Sequence, residues 1–286
     1  MIANLFLVGA PRAGTTSLFE YLSRHPAIFA PVEKEPHRYD EDVLDGRRAM
    51  ADDDYRALYA DATNERWRLD GSALYLYSSQ ALEAVAAVDG AHAVIVLRDP
   101  VELIASWHGL LVATGSEPHA DLADALADRS PDLPFERRYL EIARFSPHVE
   151  RWLERLGAGR VHVLLFEDVT GPRSAAVCEG LLASLGLDAR ELGPFPHLNT
   201  YRRPAPVRLT GSPALRRLAR AVLPRSLRRR LWWTANAALT PHAERPPVPA
   251  PVRAQLEREL EPDVRRLGTL IGRDVQRLWF GQQLRS

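Results

Sequence analysis

The sequence predicts a three-layer α/β fold, a central parallel sheet flanked by helices, and three observations predict it. Short continuous apolar runs recur along the chain, as strands buried on both faces of a parallel sheet require. Each run is followed by a helical pattern, the alternation that builds β-α-β units. The first run also feeds a glycine-bearing loop that opens a helix.

Leu5-Phe6-Leu7-Val8 reads as the first strand, and Gly9 to Gly14 as a loop. Thr15 to Arg24 reads as a helix with Leu18 and Leu22 on one face and Pro26 just beyond its end. Shorter strands are expected near Ile28–Ala30 and Arg68–Gly71. Ala93-Val94-Ile95-Val96-Leu97 is a second buried strand. It leads into a compact helix start, with Asp99 as N-cap, Pro100 at the first helical position and Glu102 placed for a capping box. Val161-His162-Val163-Leu164-Leu165-Phe166 is a third long strand. No internal repeat and no Gly/Ser linker divides the chain, so one domain is expected over residues 1–286, with a helical, arginine-rich part from about residue 200.

Composition narrows the class. With 286 residues and 46% hydrophobic content, the chain can bury a sizeable core. A formal net charge of zero argues against a general nucleic-acid binder. Cys178 is the only cysteine, so no intramolecular disulfide forms, which fits a reducing compartment and a cytoplasmic location. The apolar N-terminus is too short for a signal segment or a membrane span and runs straight into the glycine loop.

Charge is uneven nonetheless. From Thr200 to Ala243 there is no acidic residue, while arginines accumulate from Arg202 to Arg230 and Trp232 and Trp233 follow. Contact with an anionic nucleotide, an anionic acceptor or a membrane surface would use such a segment, and so would a plain solvated basic helix pair. Lys34 is the sole lysine. A compact ammonium and a planar guanidinium are not equivalent at a tight site, which marks that position.

The strongest local signal is Gly9-Ala10-Pro11-Arg12-Ala13-Gly14-Thr15-Thr16-Ser17 between a buried strand and a helix. A turn of this kind aims backbone N–H groups into a concavity at a helix N-terminus, where an anion is favoured. Gly14 lets the backbone approach an oxyanion, and Thr15, Thr16 and Ser17 add hydroxyl donors. The spacing is that of a P-loop, but Thr15 occupies the lysine position, so a nucleotide kinase would lack the charge that sits on the β- and γ-phosphates. Here the basic residue comes earlier, as Arg12.

Arg12-Ala13-Gly14-Thr15-Thr16 resembles the 5′-phosphosulfate loop of sulfotransferases that use 3′-phosphoadenosine-5′-phosphosulfate (PAPS). Many members carry lysine at the Arg12 position, and the tyrosylprotein enzymes carry arginine. Val94-Ile95-Val96-Leu97-Arg98-Asp99-Pro100, with Ser106 eight residues after the arginine, resembles the same family's 3′-phosphate site. A charged fork at a strand end and a hydroxyl from the next helix can clamp a terminal phosphate. Val32-Glu33-Lys34-Glu35-Pro36-His37 is similar to a segment of bacterial members related to the heparan-sulfate-type enzymes. Ser72-Ala73-Leu74-Tyr75-Leu76-Tyr77 is similar to another, with Ala73 where those carry proline. Phe166-Glu167-Asp168 resembles the segment after the family's third strand. His197-Leu198-Asn199 and Arg202-Arg203-Pro204 resemble a late segment that closes over the nucleotide.

The resemblance implies a P-loop-like fold and transfer of a sulfuryl group to a hydroxyl or amine, with 3′-phosphoadenosine 5′-phosphate (PAP) leaving and no metal required. It implies nucleotide contacts from Arg12, Ala13, Gly14, Thr15, Thr16, Ser17, Arg98, Ser106 and Arg203. It implies Glu35 as general base, with a pKa that partial desolvation can raise. Arg12 stands at the leaving group, Lys34 assists or orients the acceptor, and His37 is the second candidate base. Two other classes stay open, a P-loop nucleotide kinase and a catalytically silent PAP-binding protein. The residues name no acceptor, whether glycan, glycolipid or small metabolite, and no oligomeric state.

Overall fold

The apolar runs become a five-stranded, wholly parallel sheet. The structure, a computed structural model, describes residues 2–44, 49–188, 192–196 and 247–281. Its strands are β1 (Leu5–Gly9), β2 (Ile28–Phe29), β3 (Trp67–Asp70), β4 (His92–Leu97) and β5 (Val161–Leu165), in the order β2-β3-β1-β4-β5. The register pairs Leu5 with Leu69 on one side of β1 and with His92 on the other. β1 is buried at every position and β4 at all but its first, as their unbroken apolar runs require.

Helices flank this sheet. The first half of the chain contributes α1 (Thr15–Leu22), α2 (Glu41–Leu44), α3 (Asp52–Ala57), α4 (Ser79–Ala86) and α5 (Pro100–Thr114). Then come α6 (Leu122–Ala127), α7 (Tyr139–Ala143), α8 (Ser146–Leu156), α9 (Phe166–Thr170) and α10 (Ser174–Ser184). After residues outside the description, α11 (Ala250–Ile271) and α12 (Val275–Phe280) complete the layers. The arginine-rich stretch, Arg203 included, lies outside the described residues.

Two local expectations change. Phe166 does not extend β5 but begins α9, which turns its ring back toward the glycine loop. Asp99 caps α5 as expected, accepting from the amides of Val101 at 2.8 Å and Glu102 at 3.2 Å. The Glu102 carboxylate, read as half of a capping box, accepts from Arg253 on α11. Arg253 also reaches Asp99 at 3.4 Å, so α11 buttresses the turn that follows β4. Farther along α11, Asp263 accepts from the Phe145 amide at 2.8 Å and the Ser146 hydroxyl at 2.5 Å, fastening the start of α8.

Chain direction then locates a site. From β1 the chain passes through α1 to β2 at one edge of the sheet, and from β4 it passes toward β5 at the other. The carboxyl ends of the adjacent strands β1 and β4 therefore open a crevice between diverging connections, the topological switch point where open α/β sheets bind ligands.

Candidate active site

The glycine loop rises from the end of β1 into that crevice. Gly14, at the N-cap of α1, has φ of 86°, a left-handed conformation that side chains rarely adopt. A Cβ there would lie 3.0 Å from the Phe166 ring. Arg12 is left-handed too, with φ of 62°. Its carbonyl accepts from the Arg98 guanidinium at 3.2 Å. Its own Nε donates to Ser106 Oγ at 3.0 Å, joining loop, strand end and helix α5 in one cluster. Ala13 in the loop and Thr15 and Ser17 in the first turn of α1 are buried, and Thr16 is half-buried.

Arg98 leaves β4 with its guanidinium 4.6 Å from the centroid of the Phe166 ring and 3.9 Å from the Glu102 carboxylate. Burial lowers the pKa of Arg12, the neighbouring Arg98 charge lowers it further, and Glu35 opposes both. Burial likewise lowers that of Arg98, against the pull of Glu167 and Asp99. Among the described residues no carboxylate lies within ion-pair distance of Arg12. The cluster is thus rich in desolvated positive charge, a setting in which an anion is stabilised more than it would be at an open surface.

A second group of charges arrives from the segment after β2. Lys34 Nζ donates to Glu35 Oε1 at 2.6 Å, to the Gly71 carbonyl at 3.3 Å and to Thr15 Oγ1 at 3.4 Å. The lysine missing from the P-loop position is therefore supplied to that loop from a different element. Gly71 leaves it room, since a Cβ there would meet the Lys34 chain at 3.1 Å. Glu35 Oε2 lies 3.4 Å from His37 Nε2, and His37 Nδ1 lies 2.7 Å from Asp40 Oδ2. Asp40 is fully buried.

The electrostatics of this chain of charges correct one expectation. Burial raises the Glu35 pKa, but the Lys34 charge and the hydrogen bonds from His37 and Lys34 outweigh it and hold the group below the usual carboxylate range. For His37 burial works against the charged form, yet Asp40 and Glu35 push its pKa up to about 9. Glu35 is thus an ionised carboxylate between two cations, with 41% of its side chain exposed.

The expected residues of the two nucleotide segments and of the Lys34-to-His37 segment meet at one sheet edge, while Arg203 lies outside the described residues. Sequence reading missed two side chains here, Asp40 and Asp70, and the place of a third, Phe166. Asp40 completes the His37 pair and sits three residues after it, a spacing that a loop hides. Phe166 forms the floor under Arg98, which a continuous apolar run disguises as strand. Asp70 is buried beside Ser72. The hollow lined by Asn4, Arg66, Trp67, Asp89, His92 and Ser184 lies at the opposite, amino edge of the sheet. None of the described residues expected to bind the nucleotide or to act in transfer lines it.

No protein-family model matches the chain. The crystal structure of a sulfotransferase from Alicyclobacillus acidocaldarius is similar with a TM-score of 0.66 and 24% identity, over 96% of this chain and 97% of that one. The chain has the sulfotransferase fold. The sulfotransferase domain from the curacin biosynthetic pathway matches less well, with a TM-score of 0.48 and 16% identity over 67% of this chain and 76% of that domain. Among curated proteins, the bifunctional heparan sulfate N-deacetylase/N-sulfotransferase 1 of Caenorhabditis briggsae is 23% identical over 176 residues, or 57% of this chain. That match spans 20% of the relative's own length. Among the described residues of this sulfotransferase fold, no helix is long and apolar enough to cross a membrane.

Proposed function

We propose that the protein is a sulfotransferase acting as one domain, taking a sulfuryl group from PAPS to a hydroxyl or amine and releasing PAP. The observation that carries this reading is the cluster of Arg12, Arg98 and Ser106. Two sequence-distant segments, each resembling a phosphate site, are joined by the 3.0 Å bond from Arg12 to Ser106 and the 3.2 Å bond from Arg98 to the Arg12 carbonyl. Two half-buried guanidiniums whose pKa values are lowered by desolvation suit a ligand that brings several negative charges.

In this reading the loop amides from Ala13 to Ser17 hold the 5′ end of the donor and Arg98 with Ser106 holds the 3′-phosphate. The acceptor oxygen or nitrogen attacks sulfur as the bond from sulfur to the bridging oxygen breaks, and that electron pair departs with PAP. Arg12 and Lys34 stabilise the charge that develops on the bridging and sulfuryl oxygens. The acceptor's proton passes to Glu35. A carboxylate of low basicity serves, because the proton becomes acidic as its oxygen or nitrogen bonds to sulfur. His37, held by Asp40, keeps Glu35 ionised and oriented.

A nucleotide kinase finds less support, since Thr15 stands where that chemistry uses a lysine. The acceptor would be a glycan, glycolipid or small metabolite, with the arginines from Arg202 to Arg230 as candidate contacts to an anionic acceptor or membrane surface. A single buried cysteine, Cys178, fits a cytoplasmic enzyme. The test is transfer of labelled sulfuryl groups from PAPS to a panel of hydroxyl and amine acceptors, with ATP as the competing donor. Labelled product from PAPS supports the reading. Phosphorylated product from ATP identifies a kinase, and PAP binding without any turnover identifies the silent form.

A further inference from the structure

We infer that Asp70 is a positioning residue for the acceptor side, fixing the His37–Arg38 backbone through two hydroxyl relays; this rests on the proposed roles of Glu35 and His37. Asp70 ends β3 and is fully buried. Its Oδ1 accepts from the Ser72 amide at 3.0 Å and the Ser72 hydroxyl at 2.8 Å. Its Oδ2 accepts from the hydroxyls of Tyr55 at 2.9 Å and Tyr75 at 3.2 Å.

Two of those hydroxyls continue outward. Ser72 Oγ accepts from the His37 amide at 3.1 Å, and the Tyr75 hydroxyl accepts from the Arg38 amide at 3.0 Å. A hydroxyl has one proton to give. An ionised carboxylate can only accept, so it takes the proton of both hydroxyls and turns their lone pairs toward the two amides. One buried charge thereby sets the polarity of two relays that end on neighbouring residues of the site.

Those residues need fixing. His37 has φ of 50°, left-handed and unusual for a side chain of its size. Such a conformation is strained and persists where its surroundings over-determine it. The relays supply that determination, and the resulting backbone turn aims the imidazole between Asp40 and Glu35. Burial pushes the Asp70 carboxyl up to about 6 even with four donors on it, so these bonds hold an ion in a costly place.

Tyr55 provides a built-in control. Its hydroxyl donates to the same carboxylate, yet among the described residues it takes no amide of the His37 segment. The experiment compares Ser72→Ala, Tyr75→Phe and Tyr55→Phe, each confirmed as folded by its melting curve. The His37 imidazole is titrated by NMR, and kcat and KM are measured with PAPS. Loss of a relay should lower the His37 pKa from about 9 by roughly one unit in Ser72→Ala and Tyr75→Phe, with little change in Tyr55→Phe. In the same two variants kcat should fall about tenfold with the KM for PAPS unchanged, as expected of a misaligned group. Equal effects in all three variants would make Asp70 a packing residue and overturn the inference. The titration needs no turnover. If wild-type protein sulfates nothing, the proposed function fails, while the His37 comparison still decides the role of Asp70.

Discussion

The two ends of the crevice solve opposite electrostatic problems. At the end proposed for the nucleotide, Arg12 and Arg98 are two cations drawn together by a carbonyl and a hydroxyl, with desolvation lowering both pKa values. At the end proposed for the acceptor, Lys34, Glu35, His37 and Asp40 alternate in sign and pair in sequence at 2.6–3.4 Å. The first arrangement gains most when an anion arrives. The second is close to charge-balanced before anything binds, and its two cations keep Glu35 ionised. Lys34, touching Thr15 of the loop and Glu35 of the pair, is the link between them.

The sharpest way to separate the ends is Glu35→Gln. Loss of a general base costs about 10²–10⁴-fold in rate, so kcat should fall by that much while PAP binds as before. Steady-state kinetics with calorimetry checks both halves. Because Glu35 is held below the usual carboxylate range, the wild-type rate should show no loss from its protonation between pH 6 and 8.

At the other end, Arg98→Ala should weaken PAP binding by about 30- to 1000-fold, equivalent to about 2–4 kcal/mol for a charge-assisted contact pair. The affinity for AMP, which lacks the 3′-phosphate, should change far less. Arg12→Ala should act on turnover more than on PAP affinity, lowering kcat on the order of 10²-fold. Arg12→Lys keeps the charge but loses the fork that reaches Ser106, and should retain part of the rate.

The smallest effect expected is on stability. The His37 pKa rises in the folded state from 6.5 to about 9, so its contribution is fully present below pH 6.5 and is lost as pH rises through about 9. Thermal melts at pH 6.5 and 9.5 should show wild-type protein losing more than His37→Asn does. Identical losses would mean that the imidazolium is not held by Asp40 and Glu35.

The difference between the ends also explains what the sequence made legible. β1 and β4 announce themselves because burial on both faces demands unbroken apolar runs, and the glycine loop because strand, glycine and helix are contiguous. Arg98 and Ser106 were legible as a spacing. That Ser106 would accept from Arg12, 94 residues away in sequence, was not, since a long side chain's reach is set by packing rather than pattern. Asp40 and Asp70 stayed hidden for the same reason, their meaning lying in partners from other segments. Desolvation was the right force to name for Glu35, but neighbouring Lys34 and His37 reverse its outcome. Only coordinates bring that balance into view.

The most direct test of the account is calorimetry of the wild-type protein with PAP and with AMP under identical buffer and salt. If Arg98 and Ser106 form the 3′-phosphate end of a PAPS site, PAP should bind about 30- to 1000-fold more tightly than AMP, a gap that Arg98→Ala closes. Equal affinity for the two nucleotides would contradict it.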